Sequence, residues 1–226
     1  MKKVILFSLF IASSSALAEQ TQIDAIESAA MQLDKNTLVS LTNQAQTYDK
    51  ALAFYRLSIT QNLMAEPDAA IKSLNNAIAT LEAHTVQHPE DGEAWALLSQ
   101  SYGLQIGYQP MKGAYYGPKA GKALSNAFTY APQSPRTHLV KAVSEYNTPA
   151  IFGGSKSAAL KTLDTALTLF ASDTSENQWG HAEAFVWRGL ANQSMNNTEA
   201  AVEDWQQALN IAPDYGWANM LISKNK

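Results

Sequence analysis

His84 and His88 are the first residues whose types and spacing suggest chemistry. Four residues apart, two imidazoles share one helical face and could bind a metal, with Glu90 and Asp91 beside them. The intervening Thr85-Val86-Gln87 lacks the glutamate of a metalloprotease signature, and Pro89 ends the segment. An exposed helix terminus whose dipole tolerates histidine is the plainer expectation. Nucleophiles fare no better. The chain has no cysteine, no G-x-S-x-G elbow and no G-x-x-x-x-G-K phosphate loop. Glu199, Glu203 and Asp204 fit a solvated helix face. The sequence therefore points away from an enzyme and calls for no cofactor.

A second set of residues suggests binding. Between Ala94 and Leu163 stand seven basic residues, Lys112, Lys119, Lys122, Arg136, Lys141, Lys156 and Lys161, against the single acidic Glu145, a net of +6. The rest of the chain beyond residue 18 carries seven basic and nineteen acidic residues, a net of −12. This positive island could attract an anionic ligand or an acidic partner. Its lysines could equally solvate helix faces or pair with acidic flanks. Inside the island, Tyr116-Gly117-Pro118-Lys119 leads to Ala123-Leu124, and Phe152-Gly153-Gly154-Ser155-Lys156 leads to Ala159-Leu160. Each reads as an aromatic-glycine corner opening a helix, whose free N–H groups suit a carboxylate or phosphate, with Ser155 placed to cap. Tyr108, Lys112, Tyr115, Tyr116, Lys119, Phe152 and Lys156 are the candidate site for an anionic, partly apolar ligand or peptide. The alternative is that these aromatics pack the corners onto the body of the protein.

The elements that must position them are helices. Eight prolines, Pro67, Pro89, Pro110, Pro118, Pro132, Pro135, Pro149 and Pro213, are all expected in turns or at helix starts. They separate segments whose alanines and leucines recur at helical spacing, and sustained alternating runs are absent. Two units repeat without gaps. Phe54, Leu57, Ser58, Ala70, Leu74 and Ala77 match Phe185, Gly189, Ala201, Trp205, Ala208 and Pro213, each unit having 16 residues between aromatic and alanine. Trp95, Leu98, Ser99 and Tyr102 with Ala120, Leu124, Ala127 and Pro132 form a third unit, stretched to 25. Leu139, Ala142 and Tyr146 with Ala159, Leu163 and Ala166 form another, stretched to 20. Both insertions fall between a first and a second helix, so they should project from one edge.

This pattern resembles the tetratricopeptide repeat (TPR) over about Ala51 to Pro213. Glycine survives only at Gly189, and the first-helix tyrosine is replaced by Gln61 and Asn192. The resemblance implies an all-α, right-handed solenoid of about four helix pairs, at about 51–90, 91–134, 135–178 and 182–214. A degenerate helical pair at 19–50 would precede them and a capping helix at Tyr215 to Ile222 would follow. Small Ser58, Ala77, Ala127 and Ala208 would let helices approach, and Phe54, Trp95, Phe185 and Trp205 would fill the seams. It further implies protein binding on an inner groove of Tyr55, Ile59, Gln100, Leu104, Ser144, Asn147, Val186 and Gln193. The thirty residues around Phe152 also resemble the TPR-containing accessory component of TRAP solute transporters, which implies an alternative role in holding a small anionic ligand.

Residues 1–18 read as a cleavable leader, with Lys2 and Lys3, an apolar run from Val4 to Ala12 and Ala16-Leu17-Ala18 as the processing site. Export to a periplasm is the expectation. No stretch reaches the roughly 20 apolar residues a membrane span requires, and a sequence pI near 5.5 disfavours nucleic acid.

Overall fold

The structure, a computed structural model, describes residues 12–175 and 177–225, with side chains from Gln20 onward. The charged and apolar parts of the expected leader, 1–11, lie outside the described residues, as do the side chains of Ala16, Leu17 and Ala18. Eleven α-helices and no strand occur among the described residues. They are α1 (Ala12–Met31), α2 (Lys35–Gln44), α3 (Thr47–Leu63), α4 (Pro67–Gln87), α5 (Gly92–Tyr108), α6 (Gly113–Tyr130), α7 (Pro135–Asn147), α8 (Lys156–Phe170), α9 (His181–Ser194), α10 (Thr198–Ile211) and α11 (Gly216–Lys224).

Helix starts follow local chemistry. Asp34, Asp91, Ser134 and Ser155 each accept a hydrogen bond from a free N–H of the first turn that follows, and Pro67 and Pro135 occupy first-turn positions. Pro118 departs from expectation. It lies inside α6, so Tyr116-Gly117-Pro118-Lys119 is helix and not a corner. The nine extra residues of this unit fall in the end of α5, a 3-10 turn and the start of α6 instead of making a long loop. Pro118 and Ala114, whose carbonyl loses its partner, both reach the surface, so water can satisfy the freed group. The second corner is real. Gly153 has φ +92°, and a Cβ on Gly154 would overlap the Thr148 carbonyl.

Turns distinguish regular from irregular units. At α1/α2, α3/α4 and α9/α10 the chain reverses through one left-handed residue, Leu33, Ala65 or Asn196. The next N–H then reaches back five residues, Asp34 to Ala29, Glu66 to Gln61 and Asn197 to Asn192, at 2.8–2.9 Å. This is the Schellman closure, and it satisfies carbonyls at a helix end. The stretched pairs α5/α6 and α7/α8 replace it with short 3-10 turns at Pro110–Lys112 and Ala150–Phe152.

Pairs α3/α4, α5/α6, α7/α8 and α9/α10 pack most extensively, and α4 then lies on α5 and α8 on α9. This is translational stacking, as a repeat array requires. Close crossings use the expected small residues: Ser58, Ala77, Ala127 and Ala208 are fully buried. A Cβ on Gly189 would stand 2.3 Å from Trp205 Nε1, so this crossing admits only glycine beside the buried indole. The stack curls tightly enough for distant pairs to touch. Trp179 Nε1 donates to the Tyr48 hydroxyl at 2.6 Å, and Arg56 Nη1 of α3 lies 2.9 Å from Glu183 Oε2 of α9. Helix α1 fills the inner side at this closure, with Ile23 and Ile26 fully buried and Gln20 bonded both ways to Gln178.

Gly189→Ala is expected to lower unfolding stability by about 1–3 kcal/mol through overpacking. Ala65→Gly is expected to raise it by roughly 0.5–1 kcal/mol, because the left-handed conformation no longer strains a Cβ. Urea denaturation followed by circular dichroism measures both.

Candidate functional site

The seven candidate residues separate into three settings. Tyr108 ends α5 and turns inward: its hydroxyl donates to the Ser58 carbonyl at 3.3 Å and accepts from Ser58 Oγ at 3.4 Å. Burial raises its pKa. Tyr115, Tyr116 and Lys119 lie together on the first turns of α6. Lys119 Nζ donates to Glu82 Oε1 at 3.0 Å and stands 4.8 Å from the Tyr115 ring centroid and 5.4 Å from that of Tyr102. Tyr102 donates to the same carboxylate oxygen at 2.6 Å, and Tyr116 packs on Tyr102. Burial would raise the Glu82 pKa, but the bonds from Tyr102 and Lys119 outweigh it and hold the carboxylate ionised. Lys119 is therefore neutralised from α4. At the next corner Lys156 Nζ donates to the Tyr146 carbonyl and sits over that ring, 3.4 Å from its centroid. Burial lowers its pKa. Lys112 and Phe152 point to solvent, as do Met111 and Ile151 beside them.

The inner groove differs from the expectation. Tyr55 and Val186 are buried, because curvature brings α3 against α9 and α1 covers the junction. Ile59, Gln100, Leu104 and Gln193 remain half-buried, while Ser144 and Asn147 are exposed. Residues not assigned to the groove from sequence complete this face. Tyr146 of α7 meets Trp187 of α9 edge-on at 5.4 Å, and Trp187 meets Trp217 of α11 at 5.3 Å. All three rings are half-buried. Trp187 Nε1 donates to Glu183 Oε1 at 3.2 Å, which fixes its plane. The available signal was periodicity alone: Trp187 follows Phe185 by two residues and so faces away from the seam Phe185 fills.

A cleft of about 440 Å³ opens between α1 and the last pair, away from the corner residues, bordered by Asp24, Glu27, Met31, Phe170, Trp179 and His181. Below it Arg56 Nε and Nη2 donate to Glu27 at 2.7 and 2.9 Å, and Arg56 pairs off-axis with Glu183. Burial pushes the Glu27 carboxyl above its ordinary 4.5 against the attraction of Arg56, and Glu183 adds to the rise. A second cleft borders Arg136, which is fully buried and bonded to Glu93, Asp173 and Ser175, joining α5 and α7 to the segment before α9. Burial would raise Asp173, yet the hydrogen bonds and charge of Arg136 hold it below its ordinary value. His84 Nε2 pairs with Asp91 Oδ2 at 2.7 Å, tying the end of α4 to the cap of α5. Among the described residues, no group of three or more metal-ligating side chains is gathered.

Helical hairpins stacked in register, with small residues at the crossings and aromatics in the seams, define an α-solenoid with the TPR fold. Solved structures agree. TTC0263, a thermophilic TPR protein of Thermus thermophilus, matches with a TM-score of 0.56 at 19% identity, covering 94% of this chain and 97% of that one. The HusA haemophore of Porphyromonas gingivalis matches with a TM-score of 0.57 at 20% identity, covering 82% and 96%. No protein-family model matches the chain, and no curated protein does.

A carboxyl whose folded pKa exceeds its unfolded one holds its proton more tightly when folded. Stability is then lost as pH rises from about 4.5 through the folded value of Glu27. Glu27→Gln should remove this component, so the variant's melting temperature should gain on that of the wild type as pH climbs from 4.5 toward neutrality. Parallel melting curves against pH test this, and a constant difference between the two proteins would refute it.

Proposed function

We propose that this chain is a non-enzymatic scaffold of the bacterial periplasm that holds an extended segment of a partner protein on its inner face, within the cell envelope. The observation that carries the reading is the aromatic strip Tyr146, Trp187 and Trp217, which crosses three successive first-layer helices and is flanked by the amides of Asn147 and Gln193. Half-buried aromatic rings supply contact area at little entropic cost, and amides can pair with a partner's backbone. The TPR fold supports it, because stacking hairpins produces continuous concave surface. The compartment is supported by the leader pattern at Lys2, Lys3, Val4 to Ala12 and Ala16 to Ala18.

A second reading, an anionic small molecule or peptide held at the corner residues as an accessory to a transporter, has narrower support. Lys112 and Lys156 have no carboxylate partner among the described residues, but Lys119 is already paired with Glu82. A thermal-shift screen with small dicarboxylates and phosphates distinguishes it: a ligand-dependent rise in melting temperature that Lys156→Glu abolishes favours this second reading.

For the scaffold reading, a photo-crosslinking amino acid at position 187 is expected to yield a discrete protein adduct in cells, and the same probe at exposed Lys72 on α4 none. Trp187→Ala should weaken binding of the adduct protein, once purified, by roughly ten-fold or more. The mature chain is expected to begin at Glu19 and to be released with periplasmic contents. Adducts of equal yield at positions 187 and 72 would remove the groove reading, and a cytosolic, uncleaved chain would remove the compartment.

A further inference from the structure

The two 3-10 corners carry side chains that neither the fold nor the inner face uses. Met111 is 97% exposed, Ile151 86% and Phe152 75%. Isolated apolar residues on a surface are ordinary, but here three large ones crowd two neighbouring corners of one edge. Both corners join a first helix to a second, α5 to α6 and α7 to α8. Helices α5 and α7, which lead into the two corners, pack against each other, so both corners lie on one edge of the array.

We propose that this edge docks on an anionic phospholipid bilayer, with Met111, Ile151 and Phe152 entering the interfacial layer and Lys112 and Lys156 meeting headgroup phosphates. Three further observations support it. Charge is complementary: Lys112 and Lys156 have no carboxylate partner among the described residues, Lys156 resting on the Tyr146 carbonyl and ring instead, while the carboxylates of Glu82 and Glu145 near the corners are engaged. Glu82 is held by Lys119 and Tyr102, and Glu145 by Thr162 and Lys141. Much of the corner backbone is already hydrogen-bonded within the chain. The N–H groups of Lys112, Phe152, Gly153, Gly154 and Ser155 all donate within the chain, to Gln109, Pro149, Ala150, Pro149 and Glu145, so burial of the tips leaves these donors satisfied. The apolar side chains protrude, Met111 from one short turn and Ile151 and Phe152 from another. A fluid bilayer accepts protrusions at any spacing, whereas a protein partner must present matching hollows and bury about 800 Å² of its own surface. No helix among the described residues is long and apolar enough to cross a membrane, so the attachment is peripheral.

The inference is independent of the groove reading, since the corner residues lie outside the Trp187 strip. The chain lacks cysteine, so Phe152→Cys offers a single labelling position for an environment-sensitive fluorophore. With vesicles of equal parts phosphatidylglycerol and phosphatidylethanolamine the label should shift to the blue, and with phosphatidylcholine vesicles it should not. A label at Lys72→Cys should stay unchanged with both. In co-sedimentation, the combined Met111→Ser, Ile151→Ser and Phe152→Ser variant, and separately Lys112→Glu with Lys156→Glu, should each partition roughly tenfold less or weaker still. All five positions are exposed, and unchanged circular dichroism confirms that the variants fold. Absence of binding to the anionic vesicles overturns the proposal. So does binding that survives the serine variant, which would indicate adsorption by charge alone. A purified protein that protects the label at position 152 while vesicles do not would assign the edge to a protein partner instead.

Discussion

A guanidinium buried between two carboxylates holds the ends of this array together. Arg56, in the first repeat pair, is bonded to Glu27 of the helix that precedes the repeats and paired with Glu183 of the last pair. Removing any one partner would leave charge uncompensated in a largely buried place, so the three elements must be present together. The rest follows from that requirement. Helix α1 is held against the inner side, the Trp179 indole is brought to Tyr48, and part of the concave face becomes interior. What stays open is the part lined by Tyr146, Trp187 and Trp217.

Local packing was legible in the sequence wherever one residue type alone satisfies the geometry. Gly189 beside Trp205 is such a case: the indole needs the space a Cβ would take, and the pattern of glycine followed by tryptophan sixteen residues later records it. Ser155 as a helix cap and the burial of Ser58, Ala77, Ala127 and Ala208 belong to the same class. Pro118 was misleading because a proline marks a helix boundary only when the freed carbonyl can find no other partner, and the exposed start of α6 leaves that carbonyl open to solvent.

The candidate binding residues were less legible, for a different reason. Counting charge along a segment assumes that neighbours in sequence are neighbours in space, which in a stacked array is only half true. Each helix also lies against the preceding pair. Glu82 sits outside the positive segment by sequence, yet it faces Lys119 across the α4 to α5 layer and removes that charge from the surface. The inner groove failed as a continuous surface for the same kind of reason: Tyr55 and Val186 point inward as their positions imply, but superhelical closure, set by partners more than a hundred residues away, covers them.

Closure also changes how such an array should lose its structure. An open solenoid has only nearest-neighbour coupling, so its end units fray and unzip one at a time. Here Tyr48 and Trp179 are 131 residues apart, and their contact ties opposite termini into one cooperative block. Melting of either terminal hairpin exposes the other, and truncation from either side costs more than the deleted repeat. Folding pays for the same contact with a slower search, because a chain this long must be brought end to end before the tie can form.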